Sequence, residues 1–215
     1  MTWRTRIKIC GLRRAEDVAA AAEAGADAVG FVFYPPSPRY LTLGQAVELA
    51  VGLPPFVSPV GLFVNPTPED VRAAIRAIPS LLLQFHGDEP PGFCAGFERP
   101  YLKAARMAPG LDLLDLARQF SHAQALLLDA DVAAFGGGGK VFDWSLIPAD
   151  VPGPVVLSGG LDAENVGRGI REVRPWAVDV SSGVESSRGV KDAAAIRRFC
   201  EAVREADARA ADAAA

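Results

Sequence analysis

Short apolar runs and amphipathic, alanine-rich segments alternate eight times along this chain, and that alternation limits its fold more than any other feature. The runs at residues 6–10, 28–33, 58–64, 81–86, 101–105, 125–129, 154–157 and 177–180 read as strands. Helical patterns follow at residues 14–24, 43–51, 68–78, 89–97, 111–120, 143–146, 163–173 and 192–210. The segments 89–97 and 143–146 are short, and Pro90-Pro91 weakens the first as a helix. A strand that returns in the same direction needs a long crossover, so this alternation implies parallel strands joined by helices. Five or six such units leave an open sheet, whereas eight close on themselves. The expected architecture is α/β, a single (β/α)8 TIM barrel over residues 1–205. An Ala/Asp-rich tail at 206–215 reads as frayed helix without a function.

With 215 residues, 50% of them hydrophobic, the chain can fill one core of this kind. Its net charge of −4 and its scattered basic residues exclude nucleic acid as a partner, because a phosphate backbone wants a basic face. Residues 49–68 lack charge over about the length of a membrane span. Pro54, Pro55, Pro59, Pro66 and Pro68 would break such a helix, so no membrane partner is expected. The N-terminal residues run directly into a strand pattern without the apolar stretch of a signal peptide. Cys10, Cys94 and Cys200 are far apart and show no zinc spacing, which points to reduced thiols, no metal and a cytoplasmic location.

In such barrels chemistry sits where strands end. Side chains alternate along a strand, so if Ile7 and Ile9 face the helices, Lys8 and Cys10 face the interior. A nearby cation favours the thiolate, making Cys10 a candidate base; the ordinary reading is a small buried hydrophobe. The sixth strand ends on Asp129, either a turn residue or an acid facing Cys10 across the mouth. Gln84 and His86 share a face of the fourth strand, where a histidine is ordinarily a hydrogen-bonding core residue. Asp179 lies in the eighth strand, beside the first once the barrel closes, so an internal Asp179–Lys8 ion pair is expected. His86 and Asp179 are carried forward as substrate-binding candidates.

Two loops have the character of a phosphate site. Ser158-Gly159-Gly160 follows the seventh strand and Ser181-Ser182-Gly183 the eighth, the two positions where this fold presents backbone N–H groups to phosphate. Gly159, Gly160, Ser181, Ser182 and Gly183 are therefore the phosphate-binding candidates. Gly136 to Lys140 lacks the GxxxxGK[ST] spacing and reads as a mobile or ligand-covering loop. Arg39 stands in the proline-stiffened segment 34–40, where a guanidinium could meet a planar carboxylate through paired hydrogen bonds; its ordinary reading is a surface arginine.

Beyond these positions the chain resembles the phosphoribosylanthranilate isomerases from about residue 6 to residue 200. The likeness rests on Lys8-Ile9-Cys10-Gly11, on Gly30-Phe31-Val32-Phe33 through Ser37-Pro38-Arg39-Tyr40, and on Gly61 to Asn65. It continues through Gln84 to Glu89, Phe142-Asp143-Trp144, Leu157 to Leu161, Asn165-Val166 and Asp179 to Glu185. The resemblance implies the Amadori rearrangement of tryptophan biosynthesis, with neither metal nor organic cofactor. It implies Cys10 as general base, Asp129 as general acid and Arg39 as the group that holds the anthranilate carboxylate. A phosphorylated small molecule is then the partner, bound by a monomer or homodimer. One departure from the family pattern is Gly138, where a hydroxyl residue is common.

That chemistry needs a protonated acid and an ionised thiol together, the reverse of what their ordinary ionisation favours near neutrality. The expectation is that Lys8 lowers the Cys10 pKa. Three other readings fit less well. An indoleglycerol-phosphate synthase needs further lysines, and Lys103 is the only extra candidate in a strand. A histidine-pathway sugar isomerase uses two aspartates, and Cys10 stands in place of the first. A non-catalytic phosphate-binding barrel would leave the acid, base and carboxylate clamp without a reason to coincide.

Overall fold

The computed structural model describes residues 4–130 and 141–212. Its strands are β1 (Arg6–Cys10), β2 (Ala28–Val32), β3 (Ser58–Phe63), β4 (Leu82–Phe85), β5 (Tyr101–Met107), β6 (Ala125–Ala130), β7 (Val155–Leu157) and β8 (Ala177–Val180). They pair in parallel in sequence order, and β8 returns to β1, closing an eight-stranded barrel. Every expected strand is present, and its ends move by no more than two residues. The helices α1 (Ala15–Glu23), α2 (Leu43–Val51), α3 (Pro68–Ala77), α4 (Pro91–Ala95), α5 (Leu113–Gln119), α6 (Val166–Val173) and α7 (Ala193–Asp212) form the outer layer.

Local chemistry fixes several of these helix starts. Thr42 with Gln45, and Thr67 with Asp70, form reciprocal caps that satisfy the otherwise unpaired N–H groups of α2 and α3. Pro68 at the first position of α3 already has the backbone angle a helix needs. The segment 163–173 becomes helical only at Val166, because the Asp162 carboxylate takes the N–H groups of Glu164 and Asn165 in a turn. Segment 143–146 is a single 3-10 turn, Trp144–Leu146. The chain's end differs from the frayed tail expected of it. Helix α7 continues to Asp212, Ala206 is buried, and Asp207 accepts hydrogen bonds from the Thr5 N–H (2.8 Å) and hydroxyl (2.7 Å).

The period of two separates the residues into two shells. Outward-facing Ile7, Ile9, Val29, Phe31, Phe63, Leu83, Phe85, Leu128 and Leu157 pack against the helices, together with Val18, Val71, Val166, Ile196 and Phe199. Each such large side chain, fully buried, stabilises the fold by about 1.5–3 kcal/mol. The interior is filled by Val60, Leu102, Ala104, Ala125, Leu127, Val156 and Ala177. Nearer the C-terminal ends of the strands, the inward positions turn polar: Lys8, Gln84, Asp129 and Asp179 are all buried there. A closed apolar floor under a polar mouth is the frame on which the site stands.

No helix among the described residues is long and apolar enough to cross a membrane. The segment 136–140, read as a ligand-covering loop, and the Gly138 departure lie outside the described residues.

Candidate active site

At the polar end of the barrel a solvent-open cleft of about 630 Å³ is lined by Cys10, Arg39, His86, Asp129, Ser158, Gly159, Gly160, Asp179, Ser181 and Ser182. Nine of the ten candidates from the sequence thus meet in one place. Gly183 is the exception: it does not line the cleft. It sits in the 3-10 turn Ser182–Val184, where any side chain would collide with the Leu161 carbonyl oxygen. Its contribution is close packing of the loop after β8 on the loop after β7.

The expected Lys8–Asp179 pair is present. Lys8 Nζ donates to Asp179 Oδ1 at 2.8 Å, and Ser158 Oγ donates to the other carboxylate oxygen at 3.3 Å. Cys10 lies above this pair, two residues along β1. Gly30 makes room for it: a Cβ there would lie 2.7 Å from Cys10 Sγ and 3.2 Å from Lys8 Nζ. The thiol corrects one expectation. Burial pushes the Cys10 pKa up, and Lys8 opposes the shift without reversing it. Lys8 is itself desolvated, and Asp179 holds its ammonium above the ordinary lysine value, so much of its field is already spent on a carboxylate.

Across the mouth, Asp129 is held at both oxygens. Its own neighbour's N–H, from Ala130, donates to Oδ1 at 2.9 Å, and His86 Nε2 lies 3.1 Å from Oδ2. Gln84 Nε2 lies 3.2 Å from His86 Nδ1. Gly159, with φ +79°, presses against this carboxylate; a Cβ there would stand 2.9 Å from Asp129 Oδ1. The neighbouring Gly160 also has positive φ, and Asn165 Nδ2 donates to its carbonyl at 2.9 Å, pinning the loop.

Arg39 reaches the cleft over Gly11, where a Cβ would come within 2.5 Å of its Cδ. Its fork is not free, as an isolated carboxylate clamp would be. Nε and Nη2 donate to the two oxygens of Glu185 at 2.6 and 2.8 Å. Lys191 Nζ joins them, donating to Glu185 Oε1 at 2.8 Å and to the Ser181 carbonyl at 2.8 Å. The Ser181 hydroxyl in turn donates to the Cys10 carbonyl at 3.1 Å. These contacts follow from a small antiparallel hairpin after β8, β9 (Glu185–Ser187) with β10 (Val190–Lys191), whose Gly189 lies against Pro38. Burial alone would raise the Glu185 pKa, but hydrogen bonds from Arg39 and Lys191 bring it below the ordinary value. Glu185 belongs to a quoted motif, yet neither it nor Lys191 carried a role in the sequence; partners 146 residues apart leave no local signal.

Lys103 lies on the other side of the sheet. It pairs in register with outward-facing Phe85, sits 5.3 Å from the Phe120 ring centre, and donates to Glu89 and the Gly87 carbonyl. The extra strand lysine that a synthase would need is therefore outside the mouth. Among the described residues no three His, Cys, Asp or Glu side chains gather as metal ligands.

A family described as N-(5′-phosphoribosyl)anthranilate isomerase matches residues 7–202. The chain belongs to that family. An isomerase of this name from Leptothrix cholodnii is 67% identical over 210 residues, covering 98% of this chain and 96% of the relative. The crystal structure of the Thermotoga maritima phosphoribosyl anthranilate isomerase superposes with a TM-score of 0.86 at 42% identity, over 94% of this chain and 99% of that one. A further crystal structure of such an isomerase, in complex with reduced 1-(o-carboxyphenylamino)-1-deoxyribulose 5-phosphate, gives 0.83 at 40% identity over the same shares. Family membership agrees with the resemblance carried by the sequence motifs, and the closed barrel with the architecture expected from the strand–helix alternation.

Proposed function

We propose that this enzyme converts N-(5-phosphoribosyl)anthranilate to 1-(2-carboxyphenylamino)-1-deoxyribulose 5-phosphate, with Asp129 as general acid and Cys10 as general base. The observation that carries the reading is that a carboxyl group and a thiol line one cleft edged by two glycine–serine loops and an arginine. Asp129 in its protonated form gives its proton to the furanose ring oxygen. The ring C–O bond breaks as the anthranilate nitrogen lone pair forms the iminium. Cys10 thiolate then removes the C2′ proton, leaving an enolamine that tautomerises to the ketone. Each proton transfer is worth roughly 10²–10⁴-fold in rate.

The remaining candidates hold the two ends of the substrate. Backbone N–H groups around Gly159, Gly160, Ser181 and Ser182 suit a phosphate, with Gly183 keeping the two loops together. Arg39 offers the anthranilate carboxylate the guanidinium edge that Glu185 leaves open, and Glu185 fixes the plane of that guanidinium beforehand. Asp179 serves as counter-ion to Lys8, and His86 steadies Asp129. Burial pushes the Cys10 pKa up and Lys8 opposes it, so turnover draws on the thiolate that Lys8 supports. We read the enzyme as cytoplasmic, and as a monomer or homodimer, which light scattering on the eluted protein separates.

The test is the loss of anthranilate fluorescence when the protein is added to aminoaldose freshly condensed from anthranilate and a phosphorylated ribose. Turnover without added metal or cofactor is expected. No turnover by folded protein would remove the proposal.

A further inference from the structure

Gln84 is fully buried, lies on the inner face of β4 and is absent from the cleft lining, so it cannot touch a substrate there. Its amide nitrogen nevertheless points at His86 Nδ1. An amide nitrogen only donates, so in this orientation Nδ1 is the accepting nitrogen of the ring. The ring proton then sits on Nε2, which faces Asp129 Oδ2 at 3.1 Å and donates to it. Gln84 in β4, His86 just after it and Asp129 in β6 thus form a directed chain: Gln84 to His86 to Asp129.

The cost of this orientation identifies its purpose. The Gln84 carbonyl oxygen is buried and has no hydrogen-bond partner among the described residues. A half-turn of the amide would satisfy that oxygen only if His86 carried a proton on Nδ1, and Nε2 could then still donate to a carboxylate only as part of a charged ring. The observed arrangement accepts one orphaned oxygen and in return gives Asp129 a donor at Oδ2, in addition to the Ala130 N–H at Oδ1. Both donors remain within reach of the carboxylate that Asp129 becomes once it has delivered a proton.

We propose that Gln84 is a positioning residue for the reaction: its amide locks His86 as the Nε2–H tautomer, and that tautomer stabilises the conjugate base of the acid Asp129. The proposal rests on the acid role given to Asp129 above and extends it to a residue that never meets the substrate. No net proton is moved by Gln84; it selects which ring nitrogen carries one.

The chain has only two histidines, His86 and the exposed His122, so ¹⁵N-histidine labelling gives two ring systems, and His122→Gln removes one. In the otherwise unaltered protein His86 should carry its single proton on Nε2. Gln84→Met, close in volume but without a donor, should release the tautomer to a mixture. Gln84→Glu should draw the proton to Nδ1. Both variants should lose about tenfold or more in kcat, part of the roughly 10²–10⁴-fold an acid supplies, with KM within about threefold. A proton on Nδ1 in the starting protein overturns the proposal. So does a Gln84→Met protein with unchanged tautomer and kcat. If the starting protein shows the Nε2–H tautomer but does not turn over the aminoaldose, the functional reading fails while the hydrogen-bond chain stands.

Discussion

Two buried lysine–carboxylate pairs, Lys8–Asp179 and Lys103–Glu89, have the same 2.8 Å contact, and none of the four side chains is more than 6% exposed. They differ in which side of the sheet they occupy. Lys8 points into the barrel beneath Cys10, with Asp179 further held by Ser158. Lys103 points between sheet and helices, where Glu89 also takes the N–H groups of Asn65 and Gly87 and so ties down the loop after β4. Burial and pairing alone do not bring a group to the mouth of the barrel; the direction set by strand parity does.

The strongest way to break this comparison is to remove each lysine in turn. Lys8→Met and Lys103→Met each leave an unpaired buried carboxylate and should cost about 3–5 kcal/mol in denaturant unfolding. Only Lys8→Met should also change the chemistry. Without the cation that opposes its burial, the Cys10 pKa moves further up, so the rising limb of kcat/KM shifts to higher pH. An equal shift in Lys103→Met would show that the outer pair reaches the reaction too.

Cys10→Ser sharpens the contrast from the inner side. It should lower kcat at least about 10²-fold while leaving thermal unfolding close to that of the parent, because a hydroxyl is a far poorer base near neutrality. Near-full turnover would place the base elsewhere. Arg39→Ala should weaken substrate binding by about 1.5–3 kcal/mol, the value of a hydrogen bond to a charged group. The loss should be larger for the carboxylated substrate than for an aniline analogue, since stranding Glu185 affects both alike. Far from either pair, Asp207→Ala removes two bonds to a carboxylate and strands the buried Thr5 N–H and hydroxyl, and should cost about 1–3 kcal/mol, roughly 2–4 °C in Tm for each kcal/mol.

The sequence showed the barrel clearly because the same period of two runs through all its strands. It even placed Lys8 beside Asp179, since closure makes the first and last strands neighbours. What it hid depends on packing in three dimensions. The upward shift of the Cys10 thiol comes from desolvation, which no local motif encodes, and burial acts likewise on Cys94 and Cys200, pushed up to about 12 and about 11. Arg39 looked like an open clamp because Glu185 lies so far along the chain. Gln84 shared a visible face with His86, but the direction of its amide needed coordinates.

The contact between Thr5 and Asp207 also has a definite position relative to the mouth. β1 begins, and α7 finishes, at the floor of the barrel, since strands run toward the mouth and the helices return from it. Thr5 and Asp207 therefore lie together below the barrel, on the side away from the mouth. Changes made at this contact are felt at the floor and leave the route for substrate clear.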